Sequence, residues 1–249
     1  ISRAWAPLQP KKSKIIYCVS TKRAAARLER YGVKKEHIKI MGFPFPREFT
    51  KGSAANAKKD LKRRLQALDP KGRYLGQYRK TVEQYLGRIH GYGRRVSLTF
   101  AIGGAGAQAD IAEDIMESVK PLLRTGTLEL HIIAGIHAGL ATDLKKRAGA
   151  YTFVHVSRNK KKYFEDFSNI LRKTDILWTK PSELVFYAGL GIPIILAPPV
   201  GSQEVSNRRW LLDIGAGIDQ KKPELAHQWL PDLLEEGALA EAAMQGFIE

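Results

Sequence analysis

Apolar positions in this chain follow two rhythms. Short unbroken apolar runs alternate with longer stretches where apolar residues recur every three or four positions, the marks of buried strands and of helices packed on them. "IIYCVS" (15–20) reads as a short buried strand with Cys18 in its core, and "TKRAAARLERYG" (21–32) as a helix ended by Gly32. "HIKIMG" (37–42) predicts another strand and "FPFPREF" (43–49) a proline-rich turn. From residue 96 the alternation is regular. "VSLTFAI" predicts a strand, and Ile111, Ile115, Met116, Val119, Leu122 and Leu123 then mark a helix that Pro121 ends or kinks. "LELHIIAG", "YTFVHV", "DILWTK" and "IPIILAPP" predict further strands. "ATDLKKRAGA", "YFEDFSNILRKT" and "SELVFYAGLG" predict the helices between them. From about Asn207 the remainder reads as helical, with a break near "GAGIDQKKP".

Strands alternating with helices need crossover connections, and so a parallel sheet covered on both faces. The expectation for 96–249 is therefore an α/β, doubly wound, Rossmann-like domain. Such sheets bind ligands at the carboxyl ends of their strands. Within 51–95, Leu75, Tyr78, Val82, Tyr85, Leu86 and Ile89 form one apolar stripe on a basic helical segment. It reads either as a helix packed on its own domain or as a helix for a membrane surface or a partner.

Charge sharpens the picture of that region. Residues 1–95 hold 25 of the 41 Lys and Arg but 6 of the 25 Asp and Glu. Such asymmetry suits an anionic partner, whether phosphate, anionic lipid or nucleic acid, or else a solvated basic face. No apolar run reaches the roughly 20 residues of a membrane span, and no signal peptide is read. The single cysteine excludes an internal disulfide and fits a reducing compartment, so a cytoplasmic location is expected. The first residue is Ile, which suggests a processed chain or a piece of a longer one.

Two stretches carry candidate chemistry. The first, "AIGGAGAQAD" (101–110), places Gly103, Gly104, Ala105, Gly106 and Ala107 where a strand becomes a helix. A helix N-terminus offers free N–H groups and partial positive charge, and a loop with hardly any side chains lets a pyrophosphate approach the backbone. The loop is not a Walker A motif and lacks the full dinucleotide fingerprint, so a tight turn under close helix packing also explains it. The second is "TKPSELVFYAGLGIPIILAPPVGSQEVSN" (179–207). It puts Glu183 in the first turn of a helix, and Gln203, Glu204 and Asn207 in the loop after the next strand. A carboxylate at that edge can accept both hydroxyls of a ribose, and amides can orient the hydroxyls of a sugar.

This second stretch resembles the nucleotide-sugar half of GT-B fold glycosyltransferases. The likeness is to galactolipid (monogalactosyldiacylglycerol) synthases and to the lipid I N-acetylglucosaminyltransferase of peptidoglycan synthesis. The resemblance implies that Glu183 holds the ribose and that Gln203, Glu204 and Asn207 contact the donor sugar. It also implies that the loop 103–107 faces the donor diphosphate. "YCVSTKRAAARLERYGVKKEHIKIMGFPFPREF" is similar to the end of the family's first domain. The implied organisation is a tail of the acceptor domain and crossover over 1–50, a basic, partly inserted helical segment over 51–95, and a nucleotide-sugar-binding domain over 96–249. The chain departs from the family in three ways. It carries no acceptor domain, from which the catalytic base is expected; its "KPSE" loop is short; and 71–95 looks like an insertion.

Other constellations add little. The six histidines show no metal-ligand spacing, and no Asp-x-Asp pair is placed to hold a metal at the diphosphate, so neither metal nor cofactor is expected. His137, and His155 with Val156, fall near strand ends where they could touch base or sugar. The implied function is the donor-binding part of a transferase that moves a sugar from a UDP-sugar to an acceptor. In that reading its partners are the nucleotide-sugar, an acceptor domain or subunit, and an anionic membrane surface, which a lipid acceptor would require. The alternatives are a degenerate, non-catalytic subunit and, with only charge to support it, a nucleic-acid-binding protein.

Overall fold

The computed structural model describes residues 8–42, 53–91, 93–102, 108–182 and 184–249. Contacts divide the chain into two compact units, residues 1–51 and 52–249.

In the first unit, strand β1 (Tyr17–Val19) pairs in parallel with β2 (Ile38–Ile40) around helix α1 (Lys22–Arg30). Thr21 caps α1 by accepting from the Ala24 N–H, and Gly32 leaves it at φ 85°, where a side chain would be strained. Ala25, Leu28, Val33 and Ile38 form the small core. Cys18 is exposed, not buried as its apolar run suggested. Alternation along β1 turns it away from the face that Tyr17 and Val19 pack against that core.

The second unit opens with α2 (Ser53–Leu68) and α3 (Arg73–Leu86) and then alternates strands with helices. In order come β3 (Val96–Ala101), α4 (Ala109–Ser118), α5 (Lys120–Arg124), β4 (Leu128–Ile133), α6 (Ala138–Arg147), β5 (Thr152–His155) and α7 (Lys160–Lys173). They are followed by β6 (Ile176–Thr179), α8 (Leu184–Gly189), β7 (Ile194–Leu196), α9 (Ser202–Asp213), β8 (Gly217–Asp219), α10 (Ala226–Glu235) and α11 (Ala238–Ile248). All six strands β3–β8 are parallel, in the order β5-β4-β3-β6-β7-β8. This is the doubly wound sheet expected. β3 and β6 are buried at every position, as central parallel strands with both faces covered must be.

The apolar stripe of α3 divides. Leu75, Val82 and Leu86 join Leu61, Leu65 and Leu68 of α2 in the main core, while Tyr78 and Tyr85 remain exposed. One buried side chain ties α2 to the sheet domain. The Arg64 guanidinium donates to the carbonyls of Thr174, Leu190 and Gly191. Beside it, the buried Asp175 carboxylate accepts from Arg94 and from the Ser97 N–H.

Two elements differ from the sequence expectation. β8 occupies the stretch read as a break, because a three-residue strand is too short to show a period. α9 starts at Ser202, with Gly201 as its extended N-cap, so Gln203, Glu204 and Asn207 stand on a helix and not in a loop. Leu211 is the buried residue of α9, so its sequence shows no apolar stripe.

Candidate functional site

The strand order sets where a ligand can enter. From β3 the chain steps outward through β4 to β5, then crosses back and steps the other way through β6, β7 and β8. The reversal falls between β3 and β6, paired with Ala101 opposite Thr179. In doubly wound sheets the connections beyond such a reversal diverge to opposite faces, and the space between them is the usual ligand position. The two candidate stretches leave the sheet at this point: one runs from Ile102 towards Gln108, the other from Lys180 towards Leu184. Gly103, Gly104, Ala105, Gly106, Ala107 and Glu183 lie outside the described residues.

Side chains on both flanks tie these connections together. Gln108, just before α4, is 4% exposed and donates through Nε2 to the Pro198 carbonyl beyond β7, 3.3 Å away. Its Oε1 is buried without a partner among the described residues. On the other side, Asn207 of α9 donates through Nδ2 to the carbonyls of Pro181 and Ser182, at 3.1 and 2.9 Å. Those two carbonyls belong to the turn that leads into residue 183. Glu204 is engaged at both oxygens. Oε1 accepts from Lys180 Nζ at 2.7 Å, and Oε2 accepts from the Val200 N–H at 2.8 Å. Burial pushes this carboxyl up, but the two hydrogen bonds outweigh it and hold it below the ordinary carboxylate range. Gln203 is exposed, and its side chain makes no hydrogen bond among the described residues.

His137, His155 and Val156 lie at the same edge of the sheet, one to two strands out from the crevice. His137 is the N-cap residue of α6. The His155 carbonyl accepts from the Ala134 N–H, and the Ser157 N–H donates to the Gly135 carbonyl, so the ends of β4 and β5 are joined beyond their ladder. The His155 ring stacks on His131 at 5.2 Å, with Nε2 2.9 Å from His131 Nδ1. Burial and then the neighbouring imidazole push His155 down to about 4, against the pull of Asp166, so at neutral pH it is an uncharged donor or acceptor. His155, Val156, Ser157 and Asp166 border a cleft of about 360 Å³. Among the described residues, no three His, Cys, Asp or Glu side chains converge on a point that could hold a metal ion.

The sequence reading did not single out Gln108 or Lys180. Gln108 directly follows the glycine loop, a position where a polar residue is buried only if it bridges to another segment. Lys180 shows itself as a site residue only through its contact with α9, which no local pattern reveals.

Comparison with known proteins bears on the fold. A domain of unknown function, DUF6938, matches residues 79–171. The processive diacylglycerol beta-glucosyltransferase of Bacillus pumilus is 27% identical over 137 residues, which cover 54% of this chain and 36% of that protein. Among solved structures, a UDP-N-acetylglucosamine 2-epimerase from Listeria monocytogenes superposes with a TM-score of 0.52 at 16% identity, over 91% of this chain and 53% of its own. The kitacinnamycin glycosyltransferase does so with a TM-score of 0.52 at 14% identity, over 94% and 50%. The chain therefore spans about a third of the curated relative and about half of each structure. It resembles GT-B glycosyltransferases, and its six-stranded domain has the fold of their nucleotide-sugar half.

Proposed function

We propose that this chain supplies the donor-binding half of a glycosyltransferase that moves a sugar from a UDP-sugar to an acceptor hydroxyl. One observation carries the reading: the segments that lead into the glycine stretch and into residue 183 leave the sheet at Ile102 and Lys180, on either side of its β3–β6 reversal. The loop 103–107 and the start of α4 would stabilise the charge that develops on the leaving diphosphate. Glu183 would accept the ribose hydroxyls, and His137, His155 and Val156 would flank the base or sugar. Gln203 and the unspent Oδ1 of Asn207 would orient the donor sugar. Glu204, its oxygens occupied, would contribute by fixing Lys180 and the loop at Val200.

The general base would come from an acceptor domain, in the same protein or on another chain. The named activity of the Bacillus relative suggests a lipid acceptor, and the basic 1–95 region would then suit peripheral attachment to the inner face of a membrane. Among the described residues, no helix is long and apolar enough to cross one.

The Lys180–Glu204 ion pair favours a second reading. It would hold the Lys180 cation away from a donor diphosphate, as expected of a nucleotide-binding subunit that transfers nothing. A shared fold does not by itself establish activity.

Calorimetric titration with UDP tests the donor site. The wild-type chain should bind, and Glu183→Ala should weaken binding by about 1–3 kcal/mol, the cost of a buried hydrogen bond left unmade. Absence of binding, or binding indifferent to the substitution, overturns the assignment.

A further inference from the structure

The two edges of the six-stranded sheet differ. At one edge β8 spans only Gly217–Asp219 and carries the Asp219 carboxylate, paired with Arg208. Shortness and charge are what keep an edge from pairing with another chain. At the other edge lies β5, within the run "YTFVHV" (151–156), which holds no proline, glycine, lysine, arginine or carboxylate. Its β-branched and aromatic residues suit a strand with neighbours on both sides. Among the described residues it pairs with β4 alone.

The backbone bonds of β5 show which groups remain open. The Tyr151 and His155 carbonyls accept from Leu130 and Ala134, and the Ser157 N–H donates to the Gly135 carbonyl. Odd-numbered positions therefore turn their backbone groups towards β4, and alternation turns those of Thr152, Val154 and Val156 outward. The Thr152 N–H is used locally, on the Gly149 carbonyl. Helices flank this edge without closing it. Val154, His155 and Val156 border the cleft of about 360 Å³ together with Lys145 of α6 and Asp166 of α7. Two aromatic side chains stand exposed along the run, Tyr151 at 42% and Phe153 at 44%, and Phe153 stacks on His131 at 5.0 Å.

We propose that β5 pairs antiparallel with β5 of a second copy of this chain, about a two-fold axis at Val154, joining the two sheets into one. The run is complementary to itself in that register. Each Val154 exchanges N–H and C=O with Val154 of the other copy. Each Val156 N–H meets the other copy's Thr152 carbonyl, the outward group of Thr152 that no local bond uses. Phe153 then stands opposite His155 of the other copy as a non-hydrogen-bonded pair, the closer kind, with Cα atoms about 4.5 Å apart. The stack of His131 and Phe153 is thereby continued across the axis. His155 is uncharged at neutral pH, so the pairing buries no ion. Net charge does not oppose a second copy in this part of the chain, where residues 96–249 hold 16 Lys and Arg against 19 Asp and Glu. A two-fold contact takes both of its faces from one sequence, which is why self-complementarity selects a second copy over a foreign strand. The inference does not rest on the donor site, although it would bring Phe153 of the other copy beside His155.

Sedimentation velocity of the 249-residue chain across a range of concentrations tests the pairing. The wild-type chain should pass from monomer to dimer, and amide exchange at Val154 and Val156 should slow as the dimer forms. Phe153→Lys should weaken dimerisation about 30-fold, because the two-fold axis removes two cross-strand aromatic pairs at once. Phe164→Lys, at a phenylalanine of α7 that is 59% exposed, adds the same charge and should leave the dimer intact. At high dilution the thermal midpoints of both variants should match the wild type. A chain that stays monomeric at every concentration overturns the proposal. So does a dimer that Phe153→Lys leaves intact, or one in which Val154 and Val156 exchange as fast as in the monomer.

Discussion

At the scale of single residues, the site rests on polar groups turned towards the protein. Asn207 holds two backbone carbonyls with one amide nitrogen, so only a donor serves there. Asn207→Asp should therefore be as damaging as Asn207→Ala, because a carboxylate would face two carbonyl oxygens. Both should weaken UDP binding by about 1–3 kcal/mol in a calorimetric titration. His155 makes a second prediction. Its folded value of about 4 lies below its ordinary 6.5, so between those limits the unfolded chain holds more protons than the native one. Stability is thus fully present above 6.5 and lost as pH falls towards 4. The thermal midpoint should fall across that window, and His155→Gln should flatten the fall. Glu183 and residues 103–107 carry the proposed donor chemistry, whereas Gln108, Lys180 and Asn207 are residues at this edge whose contacts the structure describes.

At the scale of elements, small residues decide how closely the helices beside the site approach. A Cβ on Gly246 of α11 would lie 2.8 Å from the Ala188 carbonyl oxygen of α8, a backbone atom that cannot swing aside. Gly246→Ala should push α8 away and cost about 1–3 kcal/mol in a denaturant titration. Since α8 begins at Leu184, directly after Glu183, the same change should also weaken UDP binding. The helix pair α2–α3 shows how an apolar period is shared between two demands. Leu75, Val82 and Leu86 complete the core, while Tyr78 and Tyr85, on the same stripe, stay at the surface. Periodicity reports that a face is apolar, not what covers it.

At the scale of the whole molecule, basic residues accumulate in the first 95 positions, and the proposed donor site lies at the carboxyl edge of a sheet that begins at Val96. The 249-residue polypeptide should bind UDP but transfer no glucose from UDP-glucose to diacylglycerol until a polypeptide with an acceptor domain is added. Radiolabelled sugar appearing in the lipid fraction without that addition would show that the base lies within this chain.

The order of strands and helices from β3 to β7, the parallel sheet they require and the two candidate stretches were determined by the sequence alone. Each depends on periods and turns that span a few neighbouring residues, and such local signals survive in a linear reading. The lateral order β5-β4-β3-β6-β7-β8 was decided only by the tertiary structure, and with it the meeting of two stretches some 75 positions apart. The same is true of β8, which exists by pairing with β7, and of the start of α9 at Ser202, five residues before the helix the sequence predicts. It is true too of Cys18, exposed because an apolar run can present one of its faces to solvent. Contacts of this kind depend on which elements become neighbours, and no window of sequence contains both partners.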